Sequence, residues 1–320
     1  MAHTLGMVLL AAFVFTLATD QAAAEDTWYP SRYGAKDTIG ALNLLDKEDT
    51  LRGASLIREG KVYALGGVTG RTTPAFGHRS FQLFLYPHGN GSGEPRGPNG
   101  TTFNDDFMMT WLGIGTQIDG FAHGGRNHRY YNGRTVDEVF GPKGAKLFGT
   151  HQIPPIATRG VLINMAAHFG MEMMEAGTAF NRTEIDAAAK AQGVTIAEGD
   201  VVLFHTGWQS LAETDPERFL AGEPGLGADG ARYLASLGVV AVGADTFGLD
   251  VIPFETPADG GTPDYFPAHQ ILLAESGVHI LENIQTADLA GDGATHFFFV
   301  LGVPRFQGAV QMVINPIAIR

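Results

Sequence analysis

Between residues 160 and 246 the chain alternates short apolar runs with amphipathic ones, and this alternation limits its fold more than any other feature. Gly160-Val-Leu-Ile-Asn164 reads as a buried strand. Residues 181–193 read as a helix that Asn181 or Thr183 can cap and Gly193 can end. Residues 199–208 give a strand running into a Thr-Gly turn, residues 228–237 a second helix, and residues 238–246 a strand ending in a polar turn. Strand, helix and strand in repetition predict an α/β fold, a mixed β-sheet core with flanking helices that is at least partly parallel. In such sheets ligands sit beyond the carboxyl ends of the strands. Three places therefore become candidates for a site: Thr206-Gly207-Trp208, Asp245-Thr246, and an earlier Gly-rich stretch, residues 113–123.

The flanking regions extend the pattern. Residues 46–60 are expected to form a helix, 62–65 and 81–86 strands, and 135–140 a short helix. Residues 89–100 form a long Gly-rich loop of the kind that often serves as a lid, with His88 at its edge. It lacks the GxGxxG spacing, and no helix follows it, so a dinucleotide fold is not expected. Residues 296–302 and 309–314 read as core strands joined by a turn. No repeat or linker divides the chain, which predicts one domain over residues 25–320. An apolar run over residues 5–17, followed by Ala22 and Ala24, predicts a signal peptide over residues 1–24 and an exported, periplasmic or secreted protein.

Two totals exclude whole classes of chemistry. The chain has no cysteine, so thiol catalysis, thiolate metal sites and disulfides are ruled out. Any metal must be held by His, Asp, Glu, Gln or water. The formal charge is −13, a balance that repels phosphate backbones and anionic lipids, so neither nucleic acid nor a membrane surface is an expected partner. A G-x-S-x-G nucleophile elbow is absent, as is HExxH.

Residues 113–123 read Gly-Ile-Gly-Thr-Gln-Ile-Asp-Gly-Phe-Ala-His. Glycines allow close backbone approach to a ligand, and an Asp and a His four residues apart can serve metal binding or proton transfer. Residues 267–282 supply a complement. His269 opens a short helix, Gly277 ends it, and a short strand delivers Glu282, so His269 and Glu282 can return to one point.

With both stretches in view, the chain resembles the cyclase family that includes bacterial kynurenine formamidases and isatin hydrolases. That family's central pattern is H-x-G-T-H-x-D-x-P-x-H, against which residues 113–123 align. Thr206-Gly207-Trp208, Gly243-Ala-Asp245-Thr246, the Pro-x-His269 and Glu282-Asn pairing, and residues 33–43 match further family segments, so the resemblance spans about residues 30–315. It implies an α/β fold of the swivelling β/β/α type and a hydrolase holding zinc or manganese, in some members as a pair. Carried over residue by residue, Asp119, His269 and Glu282 keep one metal position, and His123 keeps an acid/base position. The pattern's first His is Gly113 here, its second His is Gln117, and its Pro is Phe121. Two imidazoles are thus lost. The expectation is one divalent ion, Mn or Zn, on Asp119, His269 and Glu282, with Gln117 as ligand or supporting partner.

The implied reaction is hydrolysis of an amide, cyclic amide, formamide or lactone by metal-activated water, with His123 moving the proton. Backbone amides near Gly115 and Thr116 would steady an oxyanion. Trp111, Phe121, Tyr130, Tyr131 and Trp208 would line a pocket for a flat small-molecule substrate. A homo-oligomer is also implied. The alternatives are a non-hydrolytic binding protein or pseudoenzyme of the same fold, and a lyase or cyclase.

Overall fold

Among the described residues of the computed structural model (28–86, 93 and 95–320), nine strands hydrogen-bond into one mixed sheet. The proposed signal segment, His88 and residues 89–92 and 94 of the 89–100 loop lie outside the described residues. In chain order the strands are β1 (Val62–Ala64), β2 (Gln117–Asp119), β3 (Ile156–Asn164), β4 (Val201–His205), β5 (Ala241–Ala244), β6 (His279–Glu282), β7 (His296–Leu301), β8 (Gln311–Val313) and β9 (Ile317–Ile319). Across the sheet they stand β1-β9-β7-β3-β4-β5-β6-β2-β8. β3 to β6 run parallel, and every other pairing is antiparallel. The parallel centre is the part whose strands read as unbroken apolar runs: Val201, Val202, Leu203, Phe204, Ala241 and Val242 are all fully buried, as a sheet covered on both faces requires.

The helices start where the sequence predicts. The helix α1 (Lys47–Ala54) is opened by Asp46, whose carboxylate accepts from Glu48 N and Asp49 N. In α2 (Arg182–Gln192), Ile185, Ala188 and Ala189 form the buried face, and Gly193 ends it at φ +67°. The Glu184 carboxylate accepts from Asn181 N at 2.9 Å. The Asn181 side chain is spent elsewhere: its Oδ1 accepts from Gly230 N in α3 (Ala228–Ser236), tying the two crossover helices together.

Three expectations change. The helix expected over 46–60 stops at Ala54, because residues 59–61 instead donate their N–H groups to the Arg320 carbonyl and lead into β1. The expected hairpin of the last two strands does not form. β7 lies beside β3 and β9, whereas β8 crosses to the far edge and pairs with β2. A further strand, β9, follows and closes on β1. This rearrangement places β8 beside the 113–123 stretch. One apolar core runs from Ala41 to Ala318 across the sheet, and a smaller cluster forms around Trp208 and Phe219.

Candidate metal centre

The three strands at one edge, β6, β2 and β8, set out the candidate residues by register. Gln117 stands opposite Glu282 on β6, and Asp119 stands opposite Gln311 on β8. Side chains alternate along a strand and directly opposed residues share a face, so Gln117, Asp119, Glu282 and Gln311 all fall on one face. Each is buried, at 1%, 0%, 3% and 8% relative exposure. Burial of this kind makes an unpaired polar atom costly. Gln311 Nε2 donates to Asp119 Oδ1 at 2.9 Å, and Gln117 Nε2 donates to Glu282 Oε2.

The other carboxylate oxygens turn toward His269. His269 Nε2 lies 3.4 Å from Asp119 Oδ2 and 3.3 Å from Glu282 Oε1. The imidazole is delivered by a one-turn helix, Pro267–His269, which runs into a π-helical segment, Gln270–Ser276. Short π-helical segments recur at functional positions. Asp250 fixes this helix from behind. Its carboxylate accepts from Ala268 N at 2.7 Å, from His269 N at 3.2 Å and from His269 Nδ1 at 2.7 Å. His123 completes the group after a turn in which its N–H donates to Gly120 O, with Nε2 3.9 Å from Asp119 Oδ2. The structure thus brings together Asp119, His123, His269 and Glu282 from segments up to 163 residues apart. Gln117 reaches them through Glu282, presenting its amide N–H to that carboxylate.

Left-handed backbone at non-glycine residues adjoins the same group. Leu249 (φ +58°) precedes Asp250, Phe266 (φ +49°) precedes the Pro267–His269 turn, and Asn283 (φ +54°) follows Glu282. Such conformations cost about 1–3 kcal/mol each and persist where the surroundings hold them. Asn283 is held by Nδ2 donating to Gly115 O and by its own carbonyl accepting from Thr116 Oγ1.

The charges oppose one another. Burial raises the Asp119 carboxyl, but His123, His269 and the Gln311 hydrogen bond outweigh it and hold Asp119 below the usual range. Burial and the Asp119 charge push Glu282 up to about 7. Burial lowers His123, with Asp119 acting against it, so its imidazole is neutral near pH 7. Burial also works to lower His269, yet contacts with Asp119, Asp250 and Glu282 carry it well above the ordinary histidine value.

These residues fit a divalent cation. Asp119 Oδ2 is buried without a hydrogen-bond partner, although Oδ1 is satisfied. An unpartnered buried carboxylate oxygen costs more than an ordinary lost hydrogen bond, about 1–3 kcal/mol, and a cation beside it removes that cost. Ligand atoms of Asp119, His123 and His269 lie within 4.8 Å of one another. Imidazole with carboxylate suits zinc or manganese.

The group opens into a cavity of about 380 Å³ with Phe76, Phe247, Tyr265 and Phe266 on its walls. Arg79 is the only Lys or Arg among the described residues lining it, and it donates to Gly113 O at 3.2 Å. The aromatic wall differs from the expected one. Phe121 and Tyr131 pack in the core, where Phe121 stacks on His279 at 4.3 Å, and Trp208 belongs to the smaller cluster. Tyr130 packs on Phe140, and Trp111 is 47% exposed beside His78. None of the five lines the cavity, nor do Gly115 and Thr116, because the Thr116 hydroxyl is spent on Asn283 O and Gly67 N. The strand ends at 206–208 and 245–246 join each other instead. The Asp245 carboxylate accepts from Thr206 N, Thr206 Oγ1 and Gly207 N. Only the continuation, Phe247-Gly248, reaches the cavity. The buried Glu223 carboxylate pins it by accepting from both backbone N–H groups, at 2.7 and 2.9 Å.

Asp250, Gln311, Arg79 and Glu223 did not emerge from the sequence. Gln311 carried one signal, as the lone polar residue inside the apolar run 309–314. The others show no local pattern and gain meaning only by folding.

Comparison with known proteins agrees with the fold. Residues 32–251 match the family described as "Putative cyclase". A solved structure titled as a novel cyclase superposes with a TM-score of 0.80 at 26% identity, covering 91% of this chain and 98% of its own. Isatin hydrolase A from Ralstonia solanacearum gives 0.60 at 18% identity, over 81% of this chain and 92% of that one. A protein titled as a predicted metal-dependent hydrolase from Bacillus stearothermophilus gives 0.52 at 18%, over 81% and 97%. A comparison with curated proteins gave no match.

Proposed function

We propose, because the chain belongs to the "Putative cyclase" family, that it is a metal-dependent hydrolase opening an amide, cyclic amide, formamide or lactone bond in a small aromatic or cyclic substrate. The observation that carries this reading is the convergence of Asp119 Oδ2, Glu282 Oε1 and His269 Nε2, with the first of these buried and lacking a hydrogen-bond partner. Structural relatives titled as isatin hydrolases and as a predicted metal-dependent hydrolase add support.

Asp119, His269 and Glu282 would hold one divalent ion, Mn or Zn. Such an ion supplies Lewis acidity toward a carbonyl oxygen and lowers the pKa of water toward about 7. His123, neutral and facing the cavity, accepts a proton from the attacking water and returns it to the leaving nitrogen or oxygen. Asp250 keeps the His269 Nδ1–H engaged, so that Nε2 stays aimed at the carboxylates. Phe76, Phe247, Tyr265 and Phe266 receive the flat part of the substrate and exclude water. Arg79 faces the carboxylate that hydrolysis of any of these bonds at its acyl carbon leaves behind.

The test combines metal analysis of the purified protein with a screen of aryl formamides, lactones and cyclic amides under added Mn or Zn. One equivalent of ion with turnover of such a substrate is the expected result. An ion without turnover would favour a binding protein of the same fold, and no ion at all would remove the hydrolase reading.

A homo-oligomer belongs to the same proposal. The hairpin Phe81–Tyr86 and Asp105–Thr110 leaves Leu83, Phe84, Leu85, Phe107, Met108 and Met109 between 41% and 62% exposed, on both faces of a two-stranded ribbon. A second copy of the chain is the occupant proposed for this surface. Sedimentation analysis should then give at least twice the chain mass, and charged replacements at Phe107 and Met109 should return it to one chain.

A further inference from the structure

Two neutral amides occupy the ground beside the two carboxylates, and their placement has a consequence for how many ions the centre can take. Gln311 sits in space that exists only because residue 113 has no side chain. A Cβ on Gly113 would lie 2.3 Å from Gln311 Oε1, 2.6 Å from its Cδ and 2.8 Å from its Nε2. In that space the Gln311 amide donates to Asp119 Oδ1. Gln117 repeats the arrangement one strand over, donating to Glu282 Oε2. Each carboxylate therefore gives one oxygen to an amide and leaves the other, Asp119 Oδ2 or Glu282 Oε1, facing His269 Nε2. An amide N–H carries partial positive charge and repels a cation approaching the same oxygen.

We propose that Gln311 and Gln117 are amide clamps that restrict this centre to one divalent ion. The clamped oxygens lose their capacity to bridge to a second cation, and the free oxygens are aimed at a common point. The two amides also satisfy the carboxylates without adding charge to a buried edge of the sheet, which a second pair of anions would do. This inference rests on the metal-dependent reading above. It adds that the number of ions is set by residues that do not touch the ion, with Gly113 making room for one of them. Gln311 and Gln117 are positioning residues in this scheme.

Calorimetric titration with Mn2+ alone, on full-length protein stripped with chelator, tests it through stoichiometry as well as affinity. The wild type should bind one ion per chain. Gln311→Glu with Gln117→Glu converts both clamps into carboxylates of the same shape, and the double variant should bind two ions. Gln311→Leu frees Asp119 Oδ1, so a second, weaker ion should bind, while the first binds about tenfold or more weakly because Asp119 loses its orienting donor. Two ions in the wild type would overturn the proposal. So would a single ion in every variant, and that result would leave the hydrolase reading standing. No ion in the wild type would overturn both. If the charged variants do not fold, Gln311→Leu decides alone: a second Mn2+ binding event supports the clamp, and a single ion overturns it.

Discussion

Asp250 accepts from His269 Nδ1 at 2.7 Å while the opposite ring nitrogen, Nε2, faces Asp119 and Glu282. A carboxylate behind an imidazole fixes both its tautomer and its orientation, and removing such a partner typically costs about 10–100-fold in metal affinity. Asp250→Asn should therefore weaken Mn2+ or Zn2+ binding by about that factor while the fold survives, because Asn keeps an oxygen for the Ala268 N–H. Chelator competition measures it. Unchanged affinity would show that His269 needs no support from Asp250.

His123 distinguishes proton transfer from ligation. In the proposed mechanism it moves a proton, so His123→Ala should lower turnover by about 10²-fold or more and leave the ion in place. Its Nε2 also lies near enough to Asp119 Oδ2, at 3.9 Å, to join the ligand set. Parallel assays of turnover and metal content separate the two. Loss of the ion together with activity would reassign His123 as a ligand.

Gly113 is expected to matter through Gln311. In Gly113→Ala the new methyl group overlaps the Gln311 amide, the end of a flexible side chain that can swing away. The melting temperature should fall by no more than about 2 °C, equivalent to roughly 1 kcal/mol in a chain of this size. Metal affinity should fall as it does in Gln311→Leu. A variant that binds metal as tightly as wild type would mean that the amide's position is unimportant.

Glu223 predicts a pH effect on stability. Burial, reinforced by the Glu282 charge, raises its carboxyl well above the ordinary value in the folded chain. The unfolded value is near 4.3. A raised folded value means that the folded state binds the proton more tightly than the unfolded one. The resulting stability is full below the unfolded value and is lost as pH rises through the folded value. Glu223→Gln removes this dependence. Its stability relative to wild type, from urea unfolding in chelator, should improve between pH 5 and pH 8. A constant difference across that range would show that Glu223 does not change protonation on folding.

The sequence legibly carried the parallel centre of the sheet, because runs such as Val201-Val-Leu-Phe204 and a helix ended by Gly193 state their structure locally. Asp119, His123, His269 and Glu282 were also legible, through a Gly-rich motif and a His-to-Glu spacing that resemble a known pattern. The Thr206 and Asp245 strand ends were chosen by a sound rule about sheets, yet they hydrogen-bond each other, since Asp245 has three donors nearer than the cavity. The aromatic wall was misplaced for a related reason: an aromatic near a motif in sequence falls on either side of the strand that carries it.

Residue identity alone thus determined the absence of thiol chemistry, the α/β class and the chemical types available to hold an ion. Tertiary structure decided how those types are used. It carried β8 across the sheet to lie beside β2, and only that pairing sets Gln311 against Asp119 and into the space above Gly113. It also set Asp250 behind His269. Hydrogen-bond partners such as these are chosen by strand order and register, which depend on contacts between segments far apart in the chain.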